Sequence, residues 1–304
     1  MPQQTRRQFL QAGASSVLCA STLLNPSNSL ASPFGLPLGL QLYSVRELLP
    51  QDYAGTLRKI AALGYREVEA AGFYQHSAAE VKQAMTSAGL RCVSAHYSCT
   101  QLCGNLDQII KFHKDLGAEY IICSFPGFKD ASRSKSKSYA DQVRSFTLED
   151  WRWNADQFNR AGEQVKAAGM KFGYHNHTME FAPQDGVVPF DELMRLTDPG
   201  LVTIEMDCGW VIVGGGDPVA YLHRYPDRIS MLHVKDFKRH DKAASALTPP
   251  PAAELGRGTT DYRTIFQAAK KGEIKHCFVE QEEFDMPPFE ALKVDADYMN
   301  GLSV

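Results

Sequence analysis

The sequence lacks any strong excess of charge. Its 304 residues hold 32 Lys and Arg against 35 Asp and Glu, a formal net charge of −3, with the two signs interspersed. No basic stripe exists of the kind that nucleic acid or an anionic lipid surface requires, so neither is an expected partner. A long apolar run is also missing. The stretch 12–24 is too short and too rich in Ser, Ala and Gly to span a bilayer. None of the seven cysteines forms a CxxC pair, which argues against a cysteine-based zinc site. No glycine-rich turn follows the first strand-like run, which ends Leu42-Tyr43-Ser44-Val45-Arg46. A doubly wound nucleotide-binding sheet usually opens with such a turn. What remains is ordinary globular composition, 44% apolar and 22% charged, in a chain long enough to bury a large core unaided.

Residues 1–31 read as a signal rather than as fold. Thr5-Arg6-Arg7-Gln8-Phe9-Leu10 sets paired arginines before an apolar Phe-Leu, the weakly hydrophobic stretch 12–24 follows, and Ser29-Leu30-Ala31 supplies a small-x-small cleavage site. That order is the order of a twin-arginine export signal, and the expected location is the periplasm. Leu18 stands before Cys19 where a lipoprotein needs a small residue, so a lipid anchor is not expected. Cleavage would remove Arg6 and Arg7 and no acid, moving the charge from −3 to −5, and would leave six cysteines. Cys92, Cys123 and Cys277 lie in apolar strand-like runs and are expected to be buried thiols. Cys99 and Cys103 lie four apart, and both pairing and free thiols remain open.

From residue 38 onward, strand-length apolar runs alternate with amphipathic helical stretches. Strands are expected at 38–44, 67–71, 92–96, 120–125, 171–176, 202–206, 229–234 and 276–280. Helices are expected at 53–63, 78–88, 106–116, 148–168, 190–196, 218–225 and 262–269, with Gly64, Gly89, Gly117, Gly169 and Gly272 as stops. The pattern predicts an α/β fold, a single-domain (β/α)8 TIM barrel over residues 32–304. The segment 287–304 is either the eighth helix or part of a homodimer interface. Two long loops, 126–146 and 237–260, follow the fourth and seventh strands and belong to the functional face.

A barrel places its working residues at the C-terminal strand ends. Here the second strand ends in Glu69, the third in His96 and the fifth in Tyr174-His175-Asn176-His177. The sixth ends in Glu205-Met206-Asp207, the seventh in His233-Val234-Lys235-Asp236 and the eighth in Glu280-Gln281-Glu282-Glu283. Each residue alone has an ordinary explanation: a hydrogen-bonded His, an Asp207 that caps a turn, a Glu280 paired with Lys235. Together, ionisable groups at six strand ends are costly unless a cation neutralises the carboxylates and uses the imidazoles.

These runs resemble the xylose isomerase-like barrel superfamily, in its sugar phosphate isomerase/epimerase branch. The residues that carry the resemblance are 39–46, 64–69, 94–96, 174–177 and 233–236. The resemblance implies one divalent cation held by Asp207, His233 and Glu280. His175 stands where relatives carry Glu, and His177 is the alternate at that position. Two imidazoles with two carboxylates favour manganese, zinc or cobalt over magnesium. The resemblance further implies removal of a C–H proton beside a sugar carbonyl, through an enediolate-type intermediate. Glu280 or His96 is then the base, with His177 and Lys235 as acid or oxygen partners. Glu69 is expected to hold a substrate hydroxyl or to orient His96. Tyr43, Phe73 and Trp210 are expected either to wall a sugar ring or to pack in the core.

Four functions follow from this reading. The first is a metal-dependent isomerase or epimerase of a sugar or keto-sugar. The second is a lyase or hydratase of a 3-keto-glycoside or related oxidised sugar, which suits an exported protein. A phosphate cradle is missing unless Lys135 and Lys137 supply one. The third is a periplasmic sugar-binding barrel without turnover. The fourth, a DNA repair endonuclease, would need more ligands and a basic groove, and ranks last.

Overall fold

The computed structural model describes residues 33–134, 138–239 and 248–303, so the signal expected at 1–31 lies outside the described residues. Eight strands pair in parallel: β1 (Gly39–Gln41), β2 (Glu67–Ala70), β3 (Arg91–Ser98), β4 (Tyr120–Phe125), β5 (Lys171–His175), β6 (Val202–Asp207), β7 (Ile229–Val234) and β10 (His276–Val279). They close in the order β1-β10-β7-β6-β5-β4-β3-β2. Helices α1 (Tyr53–Ala62), α2 (Ala78–Ala88), α3 (Cys99–Leu116), α5 (Leu148–Ala167), α6 (Pro189–Leu196), α8 (Pro218–Arg224), α9 (Tyr262–Ala269) and α10 (Pro288–Gly301) connect them. Two short helices, α4 (Tyr139–Ser145) and α7 (Cys208–Val213), sit in strand-to-helix connections at the mouth. The chain is a (β/α)8 barrel of one domain, and the alternation read from the sequence is the reason: each helix buries its apolar stripe against the sheet.

Three local departures matter for the mouth. The first strand ends at Gln41 instead of running to residue 44. The Gln41 side chain accepts the Tyr43 N–H at 2.9 Å and turns Leu42–Val45 into a short 3-10 helix, which sends Tyr43 to the rim. Helix α3 starts at Cys99, well before residue 106, because Ser98 and Gln101 cap its first turn reciprocally. A kink at Asn105 lets it pass the Gly104-Asn105 pair, which in sequence looks like a break. Cys99 and Cys103 are therefore one helical turn apart, both free thiols, with sulfurs 3.8 Å apart. The long loop after β7 is organised by Asp236, whose carboxylate accepts the N–H groups of Gly256, Gly258, Thr259 and Thr260. Glycine is needed at 258 because a Cβ there would strike that carboxylate. Strands β8 (Asp236–Phe237) and β9 (Ala252–Ala253) pair antiparallel within the same loop.

Helix α10 answers the question about the last segment. It is the eighth barrel helix, burying Leu292, Ala296 and Met299 and taking a hydrogen bond from the Tyr65 hydroxyl to the Leu292 carbonyl at 2.9 Å. Inside the barrel, Val93, Tyr120, Ile122, Met231 and Phe278 form a separate packed layer, so the interior is a plug and not a channel. Residues two further along the same strands, such as His233 after Met231 and Glu280 after Phe278, rise above that plug into the mouth.

Candidate active site and metal centre

The four ligands named from the sequence meet at the mouth. His175 ends β5, Asp207 ends β6, His233 lies on β7 and Glu280 directly follows β10. All four are buried, and one donor atom from each lies within 4.8 Å of the others. His233 Nδ1 is 3.2 Å from Glu280 Oε2 and 4.0 Å from Asp207 Oδ2. Asp207 Oδ1 accepts the Trp210 N–H at 2.8 Å and so caps α7, while Oδ2 has no hydrogen-bond partner. His175 Nδ1 also makes no hydrogen bond. Leaving a buried polar atom unsatisfied costs about 1–3 kcal/mol, so two of them facing one cluster need a reason. The donor set of two imidazoles and two carboxylates could hold one divalent cation, which would give these atoms a partner.

Beneath this set lies a second layer of buried polar groups. Glu69 Oε1 is 2.7 Å from His96 Nε2, 2.8 Å from His233 Nε2 and accepts from Gln41 Nε2 at 2.7 Å. Its other oxygen accepts the Ser94 hydroxyl at 2.5 Å. Glu69 is fully buried and braces the two imidazoles, in the position expected of a residue that orients His96. Glu205, given no role from the sequence, places Oε2 at 2.8 Å from His96 and 3.4 Å from both His175 Nδ1 and His233 Nε2. The signal was present: Glu205 stands two residues before Asp207, and on a strand that spacing turns both side chains to the same face. Gln41 was missed too, because its part follows from a turn that no periodicity announces.

His96 is where two influences compete. Burial disfavours its charged form, but Glu69 and Glu205 outweigh that and raise the imidazole to about 9. Against this, the Gln41 NH2 lies 3.3 Å from His96 Nδ1. The Gln41 oxygen is committed to Tyr43 N–H, so the amide cannot be turned round. Hydrogen-bond geometry therefore assigns Nδ1 as the acceptor, with the ring proton on Nε2 facing the two carboxylates.

Above the ligands opens a cavity of about 640 Å³, lined among others by Tyr43, His96, Tyr97, Phe125, His177, Trp210 and Glu282. His177 is neutral at pH 7: burial and then the Lys235 ammonium push its imidazole down to about 3, and its Nδ1 has no partner. Lys235 is buried and lies 2.9 Å from Glu280, 2.5 Å from Glu282 and 3.5 Å from Asp207, with its ammonium 4.4 Å from the Trp210 ring centre. Its contact with Glu280 is the pairing anticipated as an ordinary explanation of that residue. Lys235 and His233 outweigh burial and hold the Glu280 carboxyl below its usual range, whereas burial prevails at Asp207 and raises it to about 6. Tyr43 and Trp210 line the cavity as expected. Phe73 does not: its ring packs 4.5 Å from Phe112 and also against His113, both on α3. The apolar wall comes instead from Tyr97 and Phe125. Lys135 and Lys137 lie outside the described residues.

The chain belongs to the xylose isomerase-like TIM barrel family, whose pattern it matches over residues 57–301. Among its relatives, it is 27% identical over 250 residues to the inosose dehydratase of Lacticaseibacillus casei, covering 76% of this chain and 83% of that one. A shorter match, 38% identical over 133 residues, links it to the inosose dehydratase of Geobacillus kaustophilus, covering 42% of this chain and only 40% of that protein. Among solved structures, a sugar phosphate isomerase/epimerase from Parabacteroides distasonis superposes with a TM-score of 0.69 at 27% identity, over 86% of this chain and 97% of that one.

Proposed function

We propose that this protein is a divalent-metal-dependent enzyme that removes the acidic C–H proton beside the carbonyl of an unphosphorylated keto-sugar or keto-polyol. The observation that carries the reading is the His175, Asp207, His233 and Glu280 set, whose Asp207 Oδ2 accepts no hydrogen bond, at the floor of a cavity that His177 also lines. A cation held there supplies Lewis acidity that polarises a carbonyl and lowers the cost of the enediolate that deprotonation creates. His177 reaches the cavity with its Nδ1 free of hydrogen bonds and can carry a proton to or from a substrate carbon, whereas both nitrogens of His96 are engaged by Gln41, Glu69 and Glu205. The Lys235 ammonium, clasped by Glu280 and Glu282, holds those carboxylates in place.

Of the two outcomes of such a deprotonation, loss of a β-hydroxyl is the one we propose over reprotonation. The dehydratase relatives support it. No Lys or Arg lines the cavity among the described residues, which supports an unphosphorylated substrate. Such a substrate also suits the proposed export of the chain by the twin-arginine route to the periplasm.

The test is incubation of the metal-loaded protein with 3-keto-glycosides and keto-cyclitols in deuterated water. Deuterium at the carbon beside the carbonyl together with a product lighter by one water supports the dehydratase reading. Deuterium without loss of water moves the assignment to an isomerase or epimerase. Neither event, with sugar still bound, makes the barrel a binding protein.

A further inference from the structure

The polar layer beneath the proposed cation contains its own candidate set of four, His96, His175, Glu205 and His233, also within 4.8 Å of one another. The two sets share His175 and His233, so what the lower layer does depends on where the imidazole protons lie. His233 Nε2 faces only acceptors, Glu69 Oε1 at 2.8 Å and Glu205 Oε2 at 3.4 Å. A nitrogen in that position carries a proton whatever the charge of the ring, because two bare acceptors against a bare lone pair repel. The nitrogen left for a cation is Nδ1, which points at Glu280 and Asp207. His96 is arranged the same way, with Gln41 at Nδ1 and its Nε2 proton directed at the same two carboxylates.

We propose that Glu69 is a positioning residue of the metal centre: by accepting the Nε2 proton of His233 it turns Nδ1 toward the cation, and it anchors the cavity-facing His96 through the same oxygen. The lower layer is then a bed of N–H acceptors and not a second cation seat. Three donors converge on Glu69 Oε1, from Gln41, His96 and His233, and a fourth, Ser94, takes Oε2. Only a carboxylate can accept all four. A Gln at this position would bring an NH2 against one of them. Partners of this kind typically change metal affinity 10- to 100-fold, by orienting the imidazole and raising its basicity.

This inference rests on the metal reading above, and one experiment separates their failures. Protein labelled with 15N at histidine is loaded with Zn²⁺, and long-range 1H–15N spectra report which nitrogen of His233 is protonated. In parallel, the affinity and stoichiometry of Zn²⁺ are measured for the wild type, Glu69→Gln and Glu205→Gln. The expected result is one equivalent in the wild type, His233 protonated at Nε2 and metallated at Nδ1, and zinc binding weakened about 10- to 100-fold in Glu69→Gln at unchanged stoichiometry. His233 metallated at Nε2 overturns the inference even if Glu69→Gln fails to fold, since that spectrum is taken on the wild type. An affinity within twofold of wild type in a folded Glu69→Gln overturns it as well. So does a second zinc equivalent that vanishes in Glu205→Gln. No zinc bound by the wild type overturns the proposed function and this inference together.

Discussion

The two ends of the barrel carry the same kinds of residue and use them differently. At the N-terminal floor, buried Glu67 meets His276 at 2.7 Å and Arg91, and Arg91 also reaches Glu119. Lys171 donates to the Tyr120 hydroxyl at 3.1 Å. None of these side chains holds a buried atom without a partner. At the mouth, by contrast, His175 Nδ1, His177 Nδ1, Glu205 Oε1 and Asp207 Oδ2 are all buried and make no hydrogen bond. A satisfied ionic cluster holds a fold together. Unsatisfied atoms converging under a cavity are a cost that folding alone does not explain, and a ligand does.

The comparison can be broken most decisively by removing the cation donors. Asp207→Ala with His233→Ala should abolish stoichiometric metal binding and lower turnover by about 1000-fold or more, read by elemental analysis and by rates on a responsive substrate. Retention of metal by the double variant would show that the unpartnered atoms serve something else. Next in size is Lys235→Met, which leaves Glu280 beside other buried acids without its cation. Thermal and urea unfolding should show a loss of about 3–5 kcal/mol, the usual effect of unpairing a buried charge, unless added Mn²⁺ or Zn²⁺ compensates.

Asp295 sharpens the comparison, because it too has a buried unpartnered oxygen, yet no other donor converges on it. Burial raises its carboxyl to about 7, against the Leu255 N–H that it accepts. A folded-state value above the unfolded one means that the folded form binds the extra proton between about pH 4 and 7. The contribution of Asp295 to stability is therefore fully present below about pH 4 and is lost as pH rises toward 7. Asp295→Asn should remove that decline and be more stable than wild type at pH 8, by roughly 1–3 kcal/mol, with metal affinity unchanged. Equal pH dependence in both proteins would count against it. The smallest effect is expected at the floor. Arg91→Met should cost about 1 kcal/mol in unfolding experiments, since half-exposed Arg91 is screened by solvent, and it should leave metal binding and turnover untouched.

Much of the molecule was legible before any coordinates. Alternating runs located all eight barrel strands, and strand ends placed His175, Asp207, His233 and Glu280 on one face, because inward-facing residues recur every second position on a strand whatever the partner. The same rule could have flagged Glu205, two residues before Asp207. Turn chemistry was harder. The early end of β1 depends on one Gln41 hydrogen bond, and the early start of α3 on a cap that outweighs Gly104-Asn105. Phe73 was left open between cavity wall and core, because an aromatic near a strand end can face the mouth or the helices, and it packs in the core against Phe112.

By itself, then, the sequence determined which residues alternate inward, hence the barrel and the roster of ionisable groups at its mouth. Those are local consequences of period and spacing. Tertiary structure alone decided which nitrogen of His96 and of His233 faces which carboxylate, that Glu69 braces both rings, and that buried polar atoms are hydrogen-bonded at the floor while several at the mouth are not. Those relations join residues far apart in the chain, such as Glu69 and His233, and only closure of the barrel brings them within hydrogen-bonding distance.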